Sequence, residues 1–350
     1  MAIKVERANA PIRGKMKAWI LEKQAKIEEK PLRLEELPTP HPKDDEIRIK
    51  ISACGICRTD IHIAEGDLPL RKSPLILGHE IVGLVDEVGK DVKNFKVGSR
   101  AGIAWLNGAC GKCKFCLSGR ENLCPEAKFT GWNVDGGYTE YTTVPANFAL
   151  KLGERLSLVE LAPLMCPGIA GYRAFRLTQA QKGQILGLYG FGPTASYVLQ
   201  VAKFSGVETF VITRSGKNRS AAKELGASWV GSYEDEIPYK LDAGIIFPPA
   251  GNLVEFALSQ LDSGARLVLA PVTSTPIEIK DYNHIWMERS IISLANISRK
   301  DGAEFLKIAE EINIKTKLET FDFDELPEIL IRAKQGKVDG NAVVKVAEQR

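Results

Sequence analysis

The 350-residue chain has no run of 18 apolar residues, which excludes a membrane-spanning helix. It also lacks a dominant charge. Lys and Arg number 47 against 44 Asp and Glu, a formal +3, so neither nucleic acid nor an anionic membrane is the default partner. The first fifteen residues have no apolar stretch of the kind a secretory signal needs, and they are too short and too poor in serine for a transit peptide. They read as an extension before a strand-like MKAWIL beginning at Met16, and a cytoplasmic location follows by elimination. There is no internal repeat and no low-complexity linker. Hydrophobic residues make up 44% and charged residues 26%, as in an ordinary globular protein, and the length suits roughly two domains at about 150 residues each.

Seven cysteines are present, and in a cytosolic protein disulfides do not explain them. Four fall within fifteen residues, spaced Cys110-x2-Cys113-x2-Cys116-x7-Cys124. Four thiolates close a tetrahedral structural zinc site with no open position. An iron–sulfur run shares the first two spacings and a following proline, here Pro125, but its last spacing is three rather than seven; the difference favours zinc.

The chain changes character near Ser157. Before it, EIRIKISA alternates as a half-buried strand over residues 47–51, residues 76–104 read as short strands, 107–127 as a cysteine-bearing lobe without its own core, and 136–152 as further strand. After it, VELAPLMCPGIAGYRAF is helical with a break near Pro167 and Gly168. Strands and helices then alternate, the pattern of a parallel sheet with crossover helices. The helix over residues 218–227 closes at Gly226, and NAVVKVA is a closing strand.

Gly190-Phe191-Gly192-Pro193-Thr194-Ala195 follows the first of these later strands and opens a helix. In this G-x-G-x-x-A turn Gly190 makes the bend, Gly192 lets a pyrophosphate approach, and Ala195 is small enough for helix–strand packing. The helix N-terminus then favours the anion. A free ribose 2′-OH calls for a carboxylate at the end of the second strand, yet that place reads Thr213-Arg214-Ser215, with Lys217 and Arg219 after it. Cations without an acid favour NADP, with NAD as the alternative.

Three further segments offer metal-ligand chemistry: Cys57 to His62, Gly78-His79-Glu80, and Cys166. A His with two Cys and an open fourth position is the ligand set of a catalytic zinc, but sequence distance alone does not join these residues. Taken singly, Cys166 reads as a small buried hydrophobe and His79 as a hydrogen-bonded core histidine.

Together CGICRTDIH, GHEIVG, WLNGACGKCKFC with Cys124 beyond, and GFGPTA resemble, in this order, the zinc-dependent medium-chain alcohol dehydrogenases, and among them the short microbial type. The resemblance runs from Met16 onward. It implies an α/β protein with a GroES-like β-rich catalytic domain (residues 1–167 and 300–350, with the zinc lobe at 107–127) and a Rossmann doubly wound parallel-sheet domain (168–299). It implies two zinc ions per chain, the catalytic one on Cys57, His79 and Cys166, with Glu80 as alternative ligand and Cys54 as bystander. Asp60 would orient His79, Thr59 would take the alcohol proton, His62 would relay it, Arg58 would join the cofactor site, and Trp105 would wall the pocket. Members often carry a second Trp after the relay His. Here Ile63-Ala64-Glu65 stand there, which makes the pocket roomier. Where members have Arg after a C-terminal Gly, this chain has Gly340-Asn341, and Arg299 is the candidate replacement for that phosphate contact. The implied partners are a small alcohol or carbonyl substrate and further copies of the chain, as dimer or tetramer. Two other functions stay open: a non-catalytic nucleotide-binding zinc protein of the same fold, and a polyol or sugar dehydrogenase.

Overall fold

The computed structural model describes residues 14–346. The proposed extension lies outside them except for its last two residues, of which Lys15 already pairs in the first strand. The N-terminal part contributes β1 (Lys15–Leu21), β2 (Leu32–Pro38), β3 (Glu46–Ile56), α1 (Arg58–Glu65), β4 (Leu75–Ile76), β5 (Glu80–Val88) and β6 (Arg100–Ile103). It continues through β7 (Leu106–Gly108), α2 (Lys114–Leu117), β8 (Lys128–Phe129), β9 (Tyr141–Pro145), β10 (Leu150–Lys151), α3 (Leu158–Leu161) and α4 (Pro167–Thr178). Next come β11 (Ile185–Tyr189), α5 (Pro193–Phe204), β12 (Glu208–Ile212), α6 (Gly216–Leu225), β13 (Trp229–Gly231), β14 (Leu241–Ile246), α7 (Asn252–Gln260), β15 (Leu261–Leu269) and β16 (Ser290–Ser293). The chain then returns through α8 (Arg299–Ile312), β17 (Leu318–Asp322), α9 (Leu326–Lys334) and β18 (Asn341–Lys345).

β3 organises the first sheet. β5 covers one edge antiparallel, while β9 takes Glu46 to Lys50 and β18 takes Ala53 to Ile56 on the other. Being central, β3 is more buried than its alternating sequence suggests. Arg48 is 1% exposed, because Asp86, Glu87 and the Pro40 carbonyl receive its guanidinium. A buried charge persists only with such partners.

The second sheet is parallel throughout, in the order β13-β12-β11-β14-β15-β16. Numbered within itself this is 3-2-1-4-5-6, the doubly wound order, whose ligand crevice lies beyond the strand ends where the order reverses, between β11 and β14. Among the described residues no helix is long and apolar enough to cross a membrane.

α4 links the two sheets, and the helix break expected near Pro167 and Gly168 falls at Cys166 (φ −124°, ψ −75°), with Pro167 opening the new helix. Proline clashes with a helical predecessor but suits a first helical position. Gly168 lies inside the first turn, where a Cβ would meet the Phe305 ring at 2.6 Å.

α4 is clasped to α8 by Asp301. Its fully buried carboxylate accepts from the Ser298 backbone and hydroxyl, from Arg173 Nη1 at 2.6 Å and from Arg176 Nη1 at 2.7 Å. Burial raises its pKa, but the Ser298 bonds and Arg173 overcome this and hold it below the ordinary value. Such a group stabilises the fold above its unfolded pKa of about 3.9 and loses that contribution as pH falls through the lower folded value. We expect Asp301→Asn to cost about 3 kcal/mol in urea unfolding at pH 7, because it strands a largely buried arginine. The difference from the unmodified protein should shrink below about pH 4; a pH-independent difference would contradict the charge argument.

Candidate active site and metal centres

The turn from β3 into α1 builds the first centre. Cys57 is the N-cap of α1, and Asp60, three residues on, reaches back to accept from the Cys57 backbone N–H at 3.0 Å. This capping box fixes the loop. Asp60 is fully buried and also accepts from Tyr138 Oη at 2.8 Å, from the Gly78 N–H at 3.3 Å and from His79 Nδ1 at 2.9 Å. Holding the Nδ1 proton leaves Nε2 of His79 as the ligating nitrogen. That Nε2 is buried and has no hydrogen-bond partner among the described residues.

Around it the fold brings together Cys57, His79, Glu80 and Cys166, whose ligand atoms all lie within 4.8 Å of one another. Cys57 Sγ and Cys166 Sγ are 3.9 Å apart. Sulfurs bound tetrahedrally to zinc at about 2.3 Å stand about 3.8 Å from one another, so the pair fits one ion. Cys166 reaches the site because it sits at the break before α4. Glu80 fits because Gly55 faces it, where a Cβ would meet its Oε2 at 1.9 Å.

The electrostatics favour positive charge. A hydrogen bond from the Cys166 thiol holds Cys57 well below the ordinary thiol range, and the same bond drives Cys166 up. Burial opposes a charge on His79, but Asp60 and Cys57 overcome it and push its pKa well up. Burial, and then the Cys57 charge, push Glu80 up. Orphan nitrogen, paired thiols and buried carboxylate together fit a divalent cation.

Thr59 is buried, with Oγ1 3.6 Å from Cys57 Sγ. His62 lies one turn on, and its Nδ1 meets Asp67 Oδ2 at 2.7 Å. Trp105 stands beside His79, ring centroids 5.9 Å apart. Arg58 extends away to donate to the Lys334 carbonyl at 3.2 Å. Cys54 is fully buried and outside the ligand group.

The second centre gathers Cys110, Cys113, Cys116 and Cys124, again within 4.8 Å. Cys113 and Cys116 sulfurs are 3.6 Å apart, and those of Cys110 and Cys116 are 3.9 Å apart, close to the tetrahedral edge. The Cys116 backbone N–H holds Cys113 down to about 7, while burial takes Cys116 up to about 12. Four converging thiols are a donor set that fits a tetrahedral divalent cation.

At the nucleotide turn Gly190 has φ +84°, and a Cβ there would meet Pro248 at 2.8 Å. Gly192 faces open space as the N-cap of α5, and Ala195 is fully buried. At the ribose end Thr213 is buried, Ser215 caps α6 by accepting from the Asn218 N–H, and Arg219 folds back onto the Thr213 and Arg214 carbonyls at 2.8 and 3.0 Å. Lys217 pairs with Asp339. Arg214 is exposed and carries no ion pair among the described residues. Arg299, the candidate replacement for the missing C-terminal arginine, has its guanidinium engaged by Glu121 and the Phe148 ring. Asn341 bonds Tyr197 Oη and the Lys317 carbonyl.

Sequence reasoning missed Tyr138, Asp67 and Gly55. No local pattern marks them, since each works through a partner distant in sequence or on a neighbouring turn.

Residues 43–154 match the alcohol dehydrogenase GroES-like domain family. The chain belongs to the zinc-dependent medium-chain alcohol dehydrogenases, oxidoreductases that interconvert alcohols and carbonyl compounds with NAD(P). It is 41% identical over 337 residues to a probable alcohol dehydrogenase, AdhA, of Mycobacterium tuberculosis, covering 95% of this chain and 97% of that protein. It is 37% identical over 332 residues to an alcohol dehydrogenase of Geobacillus stearothermophilus, covering 91% and 97%. Its fold overlays a cinnamyl alcohol dehydrogenase of Sorghum bicolor with a TM-score of 0.86 at 26% identity, over 96% of this chain and 99% of that one.

Proposed function

We propose that this enzyme interconverts small or medium primary and secondary alcohols with aldehydes and ketones, using a zinc ion on Cys57, His79 and Cys166 and NADP in preference to NAD. The observation that carries the reading is the convergence of two thiols and an unpartnered imidazole nitrogen, remote in sequence, beside the Thr59 hydroxyl. When bound, zinc supplies Lewis acidity that makes a hydroxyl acidic, and the nicotinamide supplies the hydride acceptor.

The chain's own residues do the rest. Asp60 keeps His79 in the tautomer that presents Nε2. Thr59 Oγ1 accepts the alcohol proton, and His62, one helical turn away and a quarter exposed, carries it towards solvent, with Asp67 steadying the charged ring. Glu80 is the reserve ligand beside His79. The aromatic Trp105 wall favours a slender apolar alcohol over a polyol. The Cys110–Cys124 lobe holds a second, structural zinc, and the enzyme is a cytoplasmic homo-oligomer, dimeric or tetrameric.

For the cofactor, Arg214 is the residue we assign to a 2′-phosphate; the engagement of Arg219 with its own loop and of Lys217 with Asp339 supports that choice. The test is a panel of alcohols and aldehydes assayed with NADP and NAD, with metal analysis. We expect turnover, two zinc equivalents per chain, and a higher kcat/KM with NADP. Arg214→Asp should lower the NADP:NAD ratio of kcat/KM by at least about tenfold, the worth of one charge-assisted hydrogen bond. No alcohol turnover with either cofactor would overturn the reading; an unmoved ratio would overturn the role of Arg214.

A further inference from the structure

We propose that Asp339, presented from the turn between α9 and β18, withholds Lys217 from a cofactor 2′-phosphate and so holds down the preference for NADP over NAD. This rests on the reading of the glycine turn as a dinucleotide site with Arg214 at its ribose end.

In the doubly wound order the adenosine ribose lies beyond the second strand, here β12. Thr213, Arg214 and Ser215 follow that strand, and Lys217 is the second residue of α6. Residues 213–219 contain no carboxylate. The fold brings one in from 122 residues away: Asp339 Oδ1 accepts from Lys217 Nζ at 2.9 Å. Its Oδ2 pairs with Lys317 Nζ at 2.8 Å. Lys317, and then Lys217, hold this carboxyl below the ordinary carboxylate range, so it is charged at neutral pH.

The backbone around Asp339 is pinned. Its N–H donates to Glu319 Oε2 at 3.3 Å. Gly340 follows with φ +103°, where a Cβ would meet the Lys317 carbonyl oxygen at 2.5 Å. Asn341 donates its N–H to the same carbonyl at 2.9 Å and its side chain to Tyr197 Oη at 3.0 Å. Tyr197 is a fully buried residue of α5, the helix that the glycine turn opens. About one turn further along α5, Gln200 donates to the Lys315 carbonyl at 3.0 Å and accepts from the Lys315 N–H at 2.8 Å. These bonds fasten residues 315–317 and 339–341 to the nucleotide helix, and they hold the Asp339 carboxylate against the start of α6.

A 2′-phosphate at this end meets two opposed influences. Arg214 is exposed, carries no ion pair among the described residues, and is available to receive it. Lys217 must leave Asp339 or be shared with it, and the carboxylate adds a like charge to the phosphate's surroundings. A ribose hydroxyl carries no charge and is indifferent to both. The Lys217–Asp339 pair is exposed, at 67% and 54%, so its effect is a brake on NADP and not an exclusion.

Calorimetric titration of the zinc-loaded protein with adenosine 2′,5′-bisphosphate and with adenosine 5′-monophosphate reads the ribose end apart from alcohol turnover. Asp339→Asn should raise affinity for the bisphosphate by about threefold to tenfold and leave that for the monophosphate within about twofold. The NADP:NAD ratio of kcat/KM should rise in proportion. Adding Lys217→Met to Asp339→Asn should remove most of the gain. An unchanged bisphosphate:monophosphate ratio in Asp339→Asn overturns the proposal, and so does an equal gain for both nucleotides, which would mark a change in the cleft as a whole. A double variant that keeps the full gain also overturns it, since the freed cation would not be Lys217. An unmodified protein that binds neither nucleotide overturns the dinucleotide reading and this proposal together. One that binds both, with a ratio unmoved by Asp339→Asn, overturns this proposal alone.

Discussion

Cys57→Ser is expected to yield a folded protein that lacks one of two zinc equivalents and turns alcohols over roughly 10³-fold more slowly. Zinc as a Lewis acid contributes several kcal/mol to the transition state, and about 1.36 kcal/mol is a factor of ten. The fold should tolerate the change. Cys57 caps α1, and serine is a favoured cap residue, so the box with Asp60 can persist. Circular dichroism and the urea midpoint should stay near those of the unmodified enzyme. Full activity with unchanged zinc content would show that the ion, if bound, does not depend on this sulfur.

Cys113→Ser should do the reverse. The lobe it belongs to has little apolar material to hold it. α2 buries no residue, Leu117 is 76% exposed, and Leu123 is 37% exposed. In such segments metal affinity is folding free energy. Losing a ligand should cost several kcal/mol locally and lower the thermal midpoint by about 5–10 °C. The consequences should reach past the lobe, because Glu121 anchors Arg299 at the start of α8 and Asn122 donates to the Ala295 carbonyl. What alcohol turnover survives below the transition should keep its KM. A variant with unaltered midpoint and zinc content would remove the structural role of the cluster.

The parts of this architecture that were legible in the sequence share one property: their cause is local. The glycine turn opening α5, the cysteine spacing and the Gly226 stop each arise within a few residues. Cys166 was different. Nothing near it distinguishes a ligand from a buried thiol, and only the resemblance placed it with His79. The structure shows the local reason for its position, a proline that forces the preceding residue out of the helix. Long side chains were least legible. Arg48 looked solvent-facing by alternation and is buried against Asp86. Arg299 looked available for phosphate and is engaged by Glu121. Arg219 looked available for a ribose phosphate and is turned onto its own loop. Their destinations are set by partners that the fold brings in from elsewhere.

The shared edge of β3 has a consequence for the order of assembly. Ala53 to Ile56, the stretch leading directly into Cys57, pairs on that side with residues 342–345 and, among the described residues, with nothing earlier in the chain. During synthesis this half-strand stays open until that late segment has left the ribosome, long after the cysteine lobe and the parallel sheet have been made. The loop that carries the chemistry is thus among the last regions to gain its full support, and the nascent chain must keep a bare strand edge from foreign pairing in the interval.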